Sequence, residues 1–222
     1  MKRLCLGLFV VAVLALAAFP QSARADEIGI SGASGSITFT SNGNGTLNFS
    51  TGGFATASPL ATFQSPTGTP QDSGSASFGA MSGSTGTESG GVFSITSGGS
   101  ETFTFTSTSD SDTLTGTVNW NGIKDNTTSP QFDVNSTLLV TAVAGDSTFT
   151  NDFQVGTSHQ IDFTITGSTT LTALAGTAKG NTATYTFSSG EVSAVPEPGT
   201  LVLFGSGLIS LAGLMRRKLL RA

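Results

Sequence analysis

The chain has 222 residues, with 14 Asp/Glu against 9 Lys/Arg, one His, one Cys and a net charge of −5. The charge is unevenly divided: between Asp26 and Ala194 the cations are Lys124 and Lys179 alone against 13 carboxylates, a local charge of −11, while both ends are basic. An acidic body repels phosphate backbones, so no nucleic-acid partner is expected, and one cysteine leaves neither an intrachain disulfide nor a cysteine-built metal site.

The first 25 residues read as a secretory leader. Lys2 and Arg3 supply the charged start, Leu4 to Phe19 the apolar stretch, and Ala23-Arg24-Ala25 the small-x-small processing site, so the mature chain is expected to begin at Asp26. Cys5 falls inside this leader without a lipobox, which leaves the exported part free of thiols.

Residues 26–194 form a Ser/Thr/Gly-rich ectodomain, long enough for one domain with its own core. Apolar and hydroxyl residues alternate at 36–40, 46–50, 92–96, 102–108, 113–120, 137–143, 159–166 and 182–188. A period of two places Ile37 with Phe39, Phe103 with Phe105, and Ile161 with Phe163 and Ile165 on one face, and threonines on the other. Short half-buried strands of this kind predict an all-β, antiparallel, jelly-roll-like β-sandwich. "SNGNG" at 41–45 is a hairpin turn, since Asn-Gly supplies positive φ, and "TSDSD" at 108–112 is a second reversal. Residues 51–91 are rich in Gly and Pro and poor in β-branched aliphatics; they read as a long loop with a weak strand at 76–81. Residues 188–194 read as a flexible stalk.

Few residues in this body carry chemistry. His159 has no G-x-S-x-G elbow to accompany it and reads as a polar residue at the start of a strand. Asp110 and Asp112 form a D-x-D pair of the kind that binds Ca²⁺, but the remaining spacing of a calcium loop is missing, and the pair reads as a solvated turn. No catalytic residue, metal or cofactor is therefore expected. Trp120, between Asn119 and Asn121, has two readings: a platform for stacking a sugar ring, or a core residue in phase with Leu114, Gly116 and Val118. The T-x-T faces invite an ice- or glycan-binding reading, although the strand intervals lack the fixed period of a solenoid. N-x-S/T triplets begin at Asn44, Asn48, Asn126 and Asn135, where N-linked sugars compete with Ser/Thr-linked ones as modifications.

The C-terminus has three parts. Val195-Pro196-Glu197-Pro198 is held extended, because each proline disfavours helix for the residue before it. Thr200 to Met215 has no charge and predicts one transmembrane helix of about 24 Å. Arg216, Arg217, Lys218 and Arg221 follow and stop transfer, which keeps the tail at 216–222 cytoplasmic.

The order and chemistry of these parts, over 195–222, closely resemble the PEP-CTERM sorting signal of Gram-negative bacteria. The resemblance implies recognition by an exosortase, a membrane-embedded cysteine transpeptidase that removes the tail and releases the protein to the cell surface or extracellular matrix. It implies the inner membrane as a transient location and exopolysaccharide as a companion. The expectation is a non-enzymatic structural or adhesive surface protein, with a carbohydrate- or ice-binding module as the alternative.

Overall fold

The computed structural model describes residues 27–56, 61–64 and 70–193. These form β1 (Glu27–Ser31), β2 (Ser36–Ser41), β3 (Leu47–Thr51), β4 (Phe54–Ala55), β5 (Ala61–Gln64), β6 (Pro70–Phe78), β7 (Met81–Thr85), β8 (Val92–Gly98), β9 (Ser100–Ser107), β10 (Thr113–Asp125), β11 (Gln131–Ala144), α1 (Ser147–Asp152), β12 (Ser158–Thr166), α2 (Leu171–Ala175) and β13 (Thr182–Ser193). All eight segments read from alternation are strands. The two expected turns are also present: Gly43 and Gly45 take positive φ between β2 and β3, and Ser111 does so between β9 and β10.

Every strand pairing is antiparallel, as expected, and all strands join one 13-stranded sheet. The hydrogen-bonded order returns on itself twice. One ring runs β1-β5-β6-β9-β10-β11-β12-β13 and closes through β1–β13; the other runs β10-β11-β12-β13-β2-β3-β7-β8 and closes through β10–β8. Both rings share the long strands β10 to β13. Length makes this possible: Thr113–Asn119 of β10 pair with β9 while Gly122–Lys124 pair with β8, and Thr182–Thr186 of β13 pair with β2 while Ser189–Ser193 pair with β1. Closure pairs the strand edges that an open sheet would leave as templates for aggregation.

Inward positions of both rings fill one apolar cluster dominated by phenylalanine. Edge-to-face pairs recur through it, among them Phe39 with Tyr185 at 5.5 Å and 86°, Phe63 with Phe149 at 5.1 Å and 84°, and Phe78 with Phe163 at 4.8 Å and 86°.

Two expectations need correction. Residues 51–91 are not a long loop, because β4, β5, β6 and β7 lie within them. Their inward positions alternate as in the other strands, but small residues occupy many of them: Phe54, Ala61, Phe63, Asp72, Ala76, Phe78 and Met81 are buried. Glycine at 74 is required by close packing, since a Cβ there would lie 2.1 Å from the Thr106 carbonyl oxygen. Residues 188–193 are likewise no stalk: β13 continues through Ser193 between β12 and β1, and Val192 is fully buried.

The leader with Ala23, Ala25 and Asp26, the segment Val195–Pro198, the apolar run 200–215 and the basic cluster at Arg216, Arg217, Lys218 and Arg221 lie outside the described residues. Among the described residues no helix is long and apolar enough to cross a membrane.

Candidate functional site

Trp120 sits where β10 exchanges β9 for β8. It is 4 % exposed and stacks on Phe49 at 5.5 Å with the rings 11° apart. Its Nε1–H donates to Glu101 Oε1 at 3.0 Å. The sugar-platform reading of Trp120 is therefore overturned; the alternation that places it in the core is the correct one. Sequence reasoning missed its partner. Glu101 is 5 % exposed, and its Oε2 has no hydrogen-bond partner. It borders a void with Phe54, Phe78, Phe163 and Phe187 that is too tight for a water molecule. Burial pushes the Glu101 carboxyl up to about 7, and the Trp120 hydrogen bond opposes this only in part.

The D-x-D pair is split by the fold. Asp112 is 2 % exposed and accepts the Asp146 N–H at 2.8 Å, which ties the β9–β10 turn to the start of α1. Asp110 stays outside, with its own N–H donated to Ser107 Oγ at 3.1 Å. Burial raises the Asp112 carboxyl above the usual range, with smaller upward contributions from Asp146, Asp72 and Asp110. Among the described residues no three His, Cys, Asp or Glu side chains are placed to hold a metal ion.

His159 is 2 % exposed on β12, bonded through Nε2 to Thr157 Oγ1 at 2.6 Å and packed on Phe153 at 5.1 Å. Burial lowers its pKa. Asp125, another residue that sequence reasoning missed, ends β10 inside the fold. Its carboxylate accepts the N–H groups of Leu171 and Thr172 at 3.1 and 2.9 Å and the Thr172 hydroxyl at 2.7 Å, fastening α2 to the sheet. These contacts tie the ends of β12 and β10 to the neighbouring turn and to α2.

The outer surface is different. Thr102, Thr104 and Thr106 on β9 stand directly opposite Thr117, Thr115 and Thr113 on β10. Ser77 and Ser75 on β6 extend two of these rows. A second field is formed where Thr182, Thr184 and Thr186 of β13 face Thr40, Thr38 and Ser36 of β2. Within each field the hydroxyls repeat about every 6.8 Å along a strand and about 4.8 Å across strands. The asparagines at 44, 48, 126 and 135 are all exposed.

The outer face of β10 to β13 also carries a trough of about 510 Å³, lined by Lys124, Asp133, Asn135, Asp162, Thr164 and Glu191 among others. Its floor is two cross-strand rows. Lys124, Asp133, Thr164 and Ser189 are successive partners in one, and Gly122, Asn135, Asp162 and Glu191 in the other. Irregularities between Trp120 and Gly122 on β10 and between Thr164 and Ile165 on β12 locally disrupt the ladder, while Gly122 and Gly190 contribute no side chains. Neighbouring side chains orient the carboxylates: Thr164 Oγ1 donates to Asp133 Oδ1 at 2.9 Å, Gln160 Nε2 to Asp162 Oδ2 at 2.7 Å, and Ser193 Oγ to Glu191 Oε1 at 2.8 Å.

No curated protein and no solved structure matches this chain. A family model does match its end, beginning immediately after β13. Residues 194–218 fit the PEP-CTERM protein-sorting motif, so the chain carries this motif at its C-terminus and is an exported protein sorted by an exosortase.

Proposed function

We propose that the protein is a non-enzymatic structural or adhesive component of the cell surface or extracellular matrix, anchored in the inner membrane until an exosortase removes its tail. In this reading the leader is cut before Asp26. Val195, Pro196, Glu197 and Pro198 are the strand the enzyme grips, residues 200–215 hold the chain in the bilayer, and Arg216, Arg217, Lys218 and Arg221 keep the end cytoplasmic. The observation that carries the reading is the sorting motif at 194–218. A sheet with paired edges and a hydroxyl-covered exterior suits a protein that must persist outside the cell.

The test separates the parts of the tail. Glu197→Ala leaves membrane insertion intact and makes full-length protein accumulate in the inner membrane of an exosortase-bearing host. Neutralising Arg216, Arg217 and Lys218 disturbs topology instead. Processing of the Glu197 variant at the wild-type rate overturns the role given to that residue.

A second reading, a carbohydrate- or ice-binding module, draws on the threonine fields of β9/β10 and β13/β2, whose methyls and hydroxyls stand in register. Ice recrystallisation and glycan-array assays on the protein test it; a negative in both leaves the structural role.

A further inference from the structure

At one end of the first ring the inward positions change from apolar to oxygen-bearing. Asp72 on β6 is 5 % exposed, Asp112 just before β10 is 2 % exposed, and Ser107 of the intervening β9 is buried as well. Register brings them to one place. Gly74 of β6 pairs with Ser107, the Ser107 N–H donates to the Asp112 carbonyl at 2.8 Å, and the Thr108 N–H donates to that of Ser73 at 2.9 Å. The Ser109 hydroxyl completes the approach by donating to Asp72 Oδ1. Asp72 therefore meets the turn that carries Asp110 and Asp112, from a position forty residues before Asp112 in the chain.

The carboxylates at this end are not fully answered by the protein. Asp72 Oδ1 accepts the Ser109 hydroxyl and the Ser73 N–H, but Oδ2 is buried without a hydrogen-bond partner. Asp112 gives Oδ1 to the Asp146 N–H. Burial raises the Asp112 carboxyl, and the charges of Asp146, Asp72 and Asp110 push it the same way. The cations between Asp26 and Ala194 are Lys124 and Lys179, and neither is at hand. Lys124 lies twelve residues beyond Asp112, roughly 40 Å along an extended strand, and Lys179 packs against Gly43 in the β2–β3 turn. Buried charges are ordinarily paired or coordinate a metal, so an orphaned carboxylate oxygen beside a second buried carboxylate points to a bound cation.

The donor set selects the ion. Carboxylate, hydroxyl and carbonyl oxygens surround the turn, which suits a hard cation and not zinc or copper. Among the described residues no third acidic or histidine side chain completes the group, so turn oxygens and water must fill the rest of the shell. Ca²⁺ accepts such mixed, irregular shells of six to eight oxygens, whereas Mg²⁺ demands a near-ideal octahedron. Thr108 to Ser111 are exposed, which leaves the ion a path from solvent.

We propose that a Ca²⁺ ion binds between Asp72 and Asp112 at the β9–β10 turn, taking the free oxygen of Asp72 as one ligand and the Asp112 carboxylate as another. The ion clamps β6 to this turn and, through the Asp112–Asp146 bond, to the start of α1. The D-x-D pair thereby gains from β6 a ligand that its own segment lacks. The inference goes beyond the sorting reading and stands whether or not the tail is removed.

The test uses the full chain in non-ionic detergent at neutral pH, stripped with EDTA and then freed of chelator. Calcium chloride is titrated by calorimetry, and thermal melts are run in Ca²⁺, Mg²⁺ and EDTA. The expected result is one Ca²⁺ per chain with a Kd of about 10⁻⁴–10⁻³ M, as in extracellular modules, and Mg²⁺ about tenfold weaker or worse. Ca²⁺ at tenfold excess over its Kd raises Tm by about 3–6 °C. Asp72→Asn and Asp112→Asn each keep an oxygen for the existing donors and weaken binding about tenfold or more. In EDTA both variants melt at or above wild type, because a buried charge without a partner has gone; in Ca²⁺ the order reverses. Asp133→Asn, beside Lys124 at the other end of β10, binds as wild type does and controls for surface carboxylates. The proposal is overturned by absence of saturable Ca²⁺ binding, by equal affinity for Mg²⁺, by undiminished binding in Asp72→Asn or Asp112→Asn, or by an equal loss in Asp133→Asn. Asp72→Asn or Asp112→Asn melting well below wild type in EDTA also overturns it, since the two carboxylates are then satisfied without an ion.

Discussion

Glu101→Gln tests how the core tolerates a carboxyl group. The amide keeps an oxygen for the Trp120 Nε1–H, now made at 3.0 Å, and removes the charge. In the wild type the carboxyl titrates at about 7 in the fold against an ordinary 4.5. The folded state thus holds a proton that the unfolded chain has released between those values, so the contribution of Glu101 to stability is full below pH 4.5 and is lost as pH rises through 7. The difference amounts to about 3 kcal/mol, or about 6–12 °C in Tm for a domain of this size. Thermal unfolding is followed from pH 4 to 8 by far-UV dichroism and by the fluorescence of Trp120, the only tryptophan, which touches the titrating group. Subtracting the variant's stability curve from that of the wild type isolates Glu101 from Asp112 and His159. The difference should lean toward the variant as pH rises and level off above pH 7. Parallel curves across this range would refute the assignment of a neutral carboxyl to the core.

Other consequences are independent of this one. Trp120→Ala should cost about 3–5 kcal/mol in urea unfolding, because it empties a stacked core position; a loss under 1 kcal/mol contradicts the burial described. Asp125→Ala strands two N–H groups and a hydroxyl at the start of α2 and should cost about 2–4 kcal/mol, with Asp125→Asn losing less; equal stability of all three chains would count against the tether. Gly145→Ala places a Cβ 1.9 Å from Asp112 Oδ1 at a φ of +141°, and should lower Tm measurably, about 2 kcal/mol or more; an unchanged Tm rules out this packing. The His159 imidazole should titrate below 6.5 by NMR, and its contribution to stability should therefore shrink as pH falls; a midpoint at or above 6.5 contradicts its burial.

Alternation made much of this fold legible. In "TFTFT" the phase set by Phe103 and Phe105 fixes which side is wet, and the same phase extended backward puts Glu101 inside. That signal was present but runs against the usual exposure of carboxylates. Asp125 was hidden similarly, in phase with Ile123 only after the irregularity at Trp120/Gly122 shifts the count. Residues 51–91 misled because alanine and glycine at inward positions weaken the apolar period while fitting the tight space beside β9. Helices α1 and α2 are too short for a 3.6-residue pattern to show; only their caps, Asp146 and Thr170, mark them. The double closure could not be read from any single strand, since it depends on β10 and β13 each pairing with three strands, β10 with β8, β9 and β11 and β13 with β1, β2 and β12. The same applies to the trough, whose residues come from four strands and meet only through register. The sorting motif was legible because all its parts are contiguous.

The central claim is that the motif at 194–218 is used and not merely carried. Intact-mass spectrometry of the protein recovered from matched hosts with and without a working exosortase tests it most directly. The account predicts a leaderless, tail-less species in the extracellular fraction of the first host and a tail-bearing species in the membranes of the second. A tail-bearing chain in both hosts would contradict it and reduce the C-terminus to a permanent anchor.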